Sequence, residues 1–228
     1  MRWQWLGVLL LPALGWAAEP CSVQSKVGDS CDLPITALRP TQGGVGLLQV
    51  EDEVAKLGKA TPKQLAKIIK KKEIPVVISP DQQYWLVDRH HLSRALWQLG
   101  VTEVRVRLVG RIKDRHCFWR QMQDNHWAWL QDQQGRPLDP AALPAEVSAL
   151  PDYPYRSLAG MLEDAGYIDK PSPGYFFEFT WANWLGQKMA WAPVQRDNLA
   201  QMLSRARRLA CSHEASALPG YPGKSCRK

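Results

Sequence analysis

Tyr84-Trp85-Leu86-Val87-Asp88-Arg89-His90-His91-Leu92-Ser93-Arg94-Ala95-Leu96-Trp97-Gln98-Leu99-Gly100 is the stretch on which the reading of this chain turns. Its first four residues are apolar and β-prone and predict a strand that ends at Asp88. From His90 the apolar spacing becomes helical. Leu92, Ala95, Leu96 and Leu99 fall on one side, and Gly100 supplies a C-terminal stop. His90 and Arg94 project from the opposite side, one turn apart, while His91 lies toward the edge of the apolar face. A helix start carries unpaired backbone N–H groups and a partial positive charge, which suits a phosphate or other anion. Imidazoles placed there bind the anion or move protons near neutral pH. Asp88 caps the helix, orients an imidazole or binds a divalent cation.

Upstream, residues 75–79 are a second apolar, β-branched run, and Pro80-Asp81-Gln82-Gln83 predicts a hairpin turn between the two. Residues 33–38 read as an opening strand closed by Arg39-Pro40. A Gly-rich connection (Gly43, Gly44, Gly46) leads to Thr61-Pro62, with Thr as N-cap and Pro at the first helical position. That helix has an apolar stripe of Leu65, Ile68 and Ile69. Its lysines (Lys63, Lys67, Lys70, Lys71, Lys72) form a solvated face, with phosphate contact as the alternative. Downstream, residues 101–109 alternate, with Val104, Val106 and Leu108 pointing one way and Arg105 and Arg107 the other. From residue 33 the order is therefore β, α, β, β, α, β.

The composition changes near Lys113. Six tryptophans (Trp119, Trp127, Trp129, Trp181, Trp184, Trp191) lie beyond it. Residues 114–134 predict a helix with Phe118, Trp119, Met122, Trp129 and Leu130 on its apolar arc. His126 falls within that arc and reads as a core histidine, while His116, Arg120 and Asp124 share the other face. Residues 137–154 are a Pro-rich connection. Residues 157–164, 176–185 and 196–210 predict further helices, and the tail from Ser212 is irregular. Glu178 sits among Tyr175, Phe176, Phe177, Phe179 and Trp181. If buried, its carboxyl would be pushed up into the range of a general acid or base; the alternative is an exposed glutamate on a helix face.

The N-terminus reads as a targeting signal. Arg2 precedes the apolar residues 5–14, which are too few to span a bilayer, and Gly15-Trp16-Ala17 fits cleavage after Ala17. No transmembrane anchor is expected after cleavage, and the mature chain is expected to be periplasmic or secreted. Five cysteines follow. Cys21–Cys31 and Cys211–Cys226 are expected to pair, each closing a short loop, and Cys117 is left as a free thiol. Beside His116 that thiol is either a nucleophile or, more simply, a small buried apolar group. The net charge of +7 favours anionic partners, nucleic acid or phosphorylated molecules. No Cys/His spacing for structural zinc occurs.

The run Pro75-Val76-Val77-Ile78-Ser79, then Tyr84 to His91, then the helix to Gly100 and a closing strand, resembles the ParB/sulfiredoxin fold. More specifically it resembles the exported group of ParB-like nucleases. In that superfamily a strand ends in a motif of the type Asp-Gly-x-His-Arg, and the following helix start binds nucleotide phosphates. Asp88 and His91 match the motif and His90 fills the variable position. Arg89 stands where Gly is usual and Leu92 where Arg is usual, so Arg94 is the candidate for the missing positive charge. The sulfiredoxin cysteine is replaced by His90, which removes sulfinic-acid reduction from the implied activities. Residues 33–42 resemble the family's opening strand, and residues 156–159 and 177–182 resemble the helical extension of the exported group.

The resulting expectation is an α+β chain: a signal (residues 1–17), a ParB/sulfiredoxin-like mixed core (18–110) and a helical, Trp-rich C-terminal extension (111–228). The resemblance implies a nuclease or phosphodiester hydrolase acting on nucleic acid or a nucleotide. His90 or His91 would be general base or acid, Asp88 would orient it or hold Mg²⁺ or Mn²⁺, and Arg89 and Arg94 would bind phosphate. Glu178 is the further catalytic candidate. Two other readings stand beside it: a non-catalytic nucleotide- or phosphate-binding module of the cell envelope, and a secreted partner-binding protein that uses exposed tryptophans.

Overall fold

The structure is a computed structural model and describes residues 19–223. The expected signal (residues 1–17) and Cys226, the far end of the second expected bridge, lie outside the described residues. Five strands form one mixed sheet: β1 (Ser30–Pro34), β2 (Leu38–Pro40), β3 (Ile74–Ile78), β4 (Tyr84–Leu86) and β5 (Glu103–Arg111). Their order is β1-β5-β3-β4-β2. The expected hairpin is present, with β3 antiparallel to β4 and Val77 opposite Trp85. β3 runs parallel to β5, and the chain between them, β4 and the helix starting at His90, makes the crossover.

The single strand expected over residues 33–38 is in fact two. Pro34 has no N–H to continue a ladder, and a 3-10 turn, Ile35–Ala37, follows it. The chain then crosses to the opposite edge of the sheet, where β2 pairs parallel with β4. β1 pairs antiparallel with β5. The segment before β1 folds back over that edge. Cys21 N–H donates to the Asp32 carbonyl at 3.1 Å, Asp32 N–H to the Glu19 carbonyl at 2.8 Å, and Arg105 reaches both Glu19 and Asp32 at 3.2 Å. The expected Cys21–Cys31 disulfide closes this arrangement across a sequence separation of 10 residues.

Among the described residues, seven α-helices pack around the sheet and beside it: α1 (Leu47–Leu57), α2 (Pro62–Lys71), α3 (His90–Gln98), α4 (Phe118–Asp124), α5 (Pro154–Asp164), α6 (Phe177–Lys188) and α7 (Leu199–Ala210). α2 opens with a reciprocal capping box between Thr61 and Gln64. α1 lies where only a Gly-rich connection was expected; Leu48, Val50 and Leu57 are its buried residues. The helix expected over residues 114–134 is reduced to α4. The chain leaves it at Asn125, His126 takes φ 56°, and Trp127 N–H closes back on the Met122 carbonyl at 2.7 Å. Trp129 then turns away to donate its N–H to the Thr41 carbonyl. His126 is consequently exposed and is not a core histidine.

One core lies on the sheet and includes Leu38, Val76, Leu86, Leu96 and Val106. Val147 and Leu150, from the Pro-rich connection, are buried in it too, so that connection is a packed wall. A second core gathers α5, α6 and α7 around Trp181, and Leu48 of α1 belongs to it. Trp181 is fully buried and its indole N–H donates to the Pro219 carbonyl at 2.7 Å. Truncating such a residue to Ala typically costs roughly 3–5 kcal/mol. The architecture is α+β, a mixed core followed by a helical, Trp-rich part. Because Leu48 and Val147 each sit in the core of the other part, the two are packed together.

Candidate functional site

The β4 strand ends at Leu86, and Asp88 and Arg89 carry the chain into α3. Arg89 is the N-cap in the left-handed conformation (φ 66°, ψ 31°), where a non-Gly residue costs on the order of 1 kcal/mol. That is the position at which the resemblance leads one to expect glycine, and the backbone there retains a glycine-like shape. No side chain caps the helix, so the first-turn N–H groups of α3 have no intrahelical partner. Arg89 N–H donates to Asp88 Oδ1 at 2.7 Å, and the Asp88 side chain is exposed.

The two histidines turn to the Gly-rich segment. Thr41 N–H donates to His90 Nε2 at 3.2 Å, and Gly46 N–H donates to His91 Nε2 at 3.0 Å. A ring nitrogen that accepts an N–H carries no proton, so each imidazole is the neutral Nδ1–H tautomer. Burial, then the nearby Arg156 guanidinium, pushes His90 down to about 3. The same two causes, followed by His90, hold His91 well below the usual imidazole range. His90 is 4% exposed, although its helix projection faces away from the sheet core. The reason is the covering strap: residues 41–46 are all buried. That strap is fixed on its far side by α5 and its approach. Tyr153 N–H donates to the Val45 carbonyl, Leu47 N–H donates to Asp152 Oδ1, and a Cβ on Gly46 would lie 2.4 Å from Ser157 Oγ. Only glycine permits that approach.

The opposite wall comes from α5 and α6. Arg156 Nη2 lies 3.2 Å from Glu178 Oε1, and their side chains are only 11% and 14% exposed. Lys170 Nζ approaches the same carboxylate oxygen at 3.5 Å. Arg156 Nη1 donates to Gln49 Oε1 at 3.2 Å, its Nε is buried without a partner, and its guanidinium lies 5.4 Å over Phe179. Gln49 reaches Arg156 past Gly160, where any Cβ would collide with its amide. Burial pushes the Glu178 carboxyl up, but Arg156, its own backbone amide and Lys170 together outweigh burial and hold it below the usual carboxylate range. Glu178 is therefore an ionised counter-charge, and the raised carboxyl expected from its aromatic neighbours is corrected by its cationic ones.

Asp88, Arg89, His90, His91, Arg156 and Glu178 line one cleft of about 390 Å³. The exposed His126 and Tyr175 also line it, and their rings stack with centroids 4.3 Å apart and planes 16° apart. Arg94 does not join them. Its Nη1 donates to the Ser148 carbonyl and its guanidinium lies 4.8 Å from the Trp97 ring, because residues 147–149 cover that face of α3. The cationic side chains that line the cleft beside Arg89 are Arg156 and Lys170. Sequence reasoning gave these little or no weight, although Arg156 is the one charged residue in the run Tyr155-Arg156-Ser157-Leu158-Ala159.

Cys117 is the free cysteine among the described residues. A hydrogen bond with Asp114, then burial, pushes its thiol up, which opposes the nucleophile reading. Among the described residues, no three His, Cys, Asp or Glu side chains converge as metal ligands. Of the eight tryptophans in residues 19–223, Trp97 is exposed, at 38%, Trp181 is buried, and the other six are partly buried.

The family described as Putative ParB-like nuclease matches residues 31–187. No curated protein matches the sequence. Among solved structures, protein Atu1540 from Agrobacterium tumefaciens is similar at 32% identity with a TM-score of 0.73, over 86% of this chain and 97% of that one. The C-terminally truncated chromosome-partitioning protein ParB from Caulobacter crescentus, complexed with CTP-gamma-S, is aligned over 88% of this chain and 100% of that one. At 14% identity and a TM-score of 0.30, its likeness is too slight to carry weight.

Proposed function

Because the chain belongs to the family of ParB-like nucleases, we propose that its cleft binds a phosphodiester of nucleic acid or a nucleotide and hydrolyses it. The observation that carries this reading is the convergence, in one cleft, of the uncapped start of α3 with Arg89, the largely buried Arg156 and Lys170. Backbone N–H groups at a helix start and guanidinium forks are the donors that match phosphate oxygens.

The roles differ from those expected of the residues. His90 and His91 have given their Nε2 lone pairs to backbone amides, so they serve as neutral N–H donors and not as bases. Glu178 is the fixed counter-ion of Arg156. Asp88 is the exposed carboxylate of the cleft; in this reading it takes the proton from an attacking water as the P–O bond to the leaving oxygen breaks, and the leaving oxygen takes its proton from solvent. Arg89 and Arg156 would then offset the charge that develops on the phosphoryl oxygens. With Asp88 standing alone and Glu178 already ion-paired, the donor set does not fit a bound Mg²⁺ or Mn²⁺, and no step is routed through one.

A second reading, binding without turnover, is favoured by the same histidines, whose neutrality removes the proton shuttles a hydrolase would use. One experiment separates the two. The purified chain is incubated with labelled single- and double-stranded DNA, with and without Mg²⁺ or Mn²⁺, and both binding and cleavage are scored. The hydrolase predicts cleavage that Asp88→Asn abolishes while binding persists. Binding with no cleavage under any condition leaves the module, and no binding at all removes both.

Residues 1–17 are taken here as an export signal, with 18–110 as the core and 111–228 as the extension. Export is supported by the Cys21–Cys31 disulfide, a bond that persists in oxidising compartments. No helix among the described residues is long and apolar enough to cross a membrane. Mass spectrometry of the protein recovered from a periplasmic or culture fraction checks the cut after Ala17.

A further inference from the structure

The phosphodiester reading leaves unused the exposed aromatic pair that lines the cleft. His126 and Tyr175 are both exposed, Tyr175 to 58%, although large rings ordinarily leave water for a core. They arrive from separate segments, the turn after α4 and the loop before α6. Each is set by a left-handed residue, His126 itself at φ 56° and Phe176, next to Tyr175, at φ 51°. Such backbone shapes are costly for residues other than glycine and persist where the surrounding structure over-determines them. The rings stack nearly parallel and share one cleft with Arg89, Arg156 and the start of α3.

We propose that the His126–Tyr175 stack is a base platform and that the ligand is a single-stranded nucleic acid. An unpaired base lies on the outer face of the stack while its phosphate meets Arg89 and Arg156. This inference rests on the phosphodiester reading and adds strandedness to it. In a duplex the bases are stacked on one another and only the backbone is presented, so a base reaches such a platform only after it is flipped out. A single strand turns a base outward at small cost, and every base offers a π-face, so the platform is tolerant of sequence. A cleft of about 390 Å³ is at the small end of ligand-site sizes and suits one nucleotide rather than a helix.

The test is fluorescence anisotropy of the full chain with three end-labelled DNA probes of equal length: a single strand, its duplex, and a single strand with abasic sites. The single strand is expected to bind roughly tenfold or more tighter than either of the others, the range of one to two stacked bases. Tyr175→Ala and His126→Ala are expected to lower single-strand binding to the abasic level and leave abasic binding unchanged. Tyr175→Phe, which keeps the ring, is expected to retain it. Duplex or abasic binding as tight as single-strand binding, or a Tyr175→Ala variant that binds the single strand normally, overturns the platform. If Arg156→Gln then still weakens all three probes, the phosphodiester reading survives that failure. If no probe binds, both fall.

Discussion

The two walls of the cleft are built on different physics. The wall from the sheet side, His90 and His91 against the strap at residues 41–46, is neutral and holds backbone amides. The wall from the helical side, Arg156 and Lys170 around Glu178, is made of permanent charges. The difference separates two jobs that adjacent residues at a helix start would otherwise seem to share. The histidines hold the backbone of the strap, and on the proposed function the arginines and lysine are what an anion meets. A residue type associated with catalysis here holds backbone in place, and the positive charge facing it across the cleft comes from a segment more than sixty residues away.

The comparison can be broken most forcefully on the charged wall. Arg156→Met leaves Glu178 buried with Lys170 as its remaining partner, and is expected to destabilise by roughly 3–5 kcal/mol in urea unfolding. The double variant Arg156→Met/Glu178→Met is expected to recover most of that loss but none of the anion binding. If the single variant proves as stable as the parent, the buried pair is not the frame of this wall.

On the neutral wall the lever is pH. The folded histidines are held neutral while unfolded ones protonate below about 6.5. Stability is therefore fully present above 6.5 and is lost as pH falls from there toward about 3, the folded value for His90. Each histidine contributes up to about 1.4 kcal/mol of loss per pH unit in that window. Melting temperatures at pH 7.5, 6.0 and 5.0 check it, and the slope should shrink in a variant that lacks His90. A flat profile would restore the histidines as titrating groups.

Gly46→Ala tests the strap itself. The added methyl meets Ser157 backbone as well as its hydroxyl, so the expected loss is roughly 1–3 kcal/mol with no change in which anions bind. The smallest effect is the most discriminating. Arg89→Gly removes a left-handed arginine and is expected to stabilise the fold by about 1 kcal/mol while weakening phosphate binding. Opposite signs in unfolding and binding would show fold and function parting at a single residue.

Much of the sheet side is legible in the sequence alone. The hairpin, the alternating β5 and the strand-to-helix step at Asp88–His91 follow from periodicity and turn residues, and these place the cleft. The charged wall was harder to read because it is assembled by tertiary packing. Arg156 and Lys170 have no local pattern that points at Glu178, and Glu178 was picked out for its aromatic neighbours rather than its cationic ones. Arg94 misled for the related reason that a helical projection gives the face but not what covers it. His126 misled because an apolar arc was extended past Asn125, where the chain in fact turns. α1 escaped notice beside three glycines whose purpose, close approach to Tyr153 and Ser157, exists only once α5 is in place.

The fold-back of the segment at Glu19 to Cys21 over β1 has a bearing on how the sheet's edge is guarded. A sheet has two rims, and an open rim is an invitation to any passing chain with a strand to offer. Here β2 answers by being three residues long, whereas β1 is shielded by its own upstream chain and held shut by a covalent clasp. Reduction would unlatch that guard without touching the cleft. The first sign of a lost Cys21–Cys31 bond should thus be self-association, seen by light scattering, while ligand binding by the remaining monomer is intact.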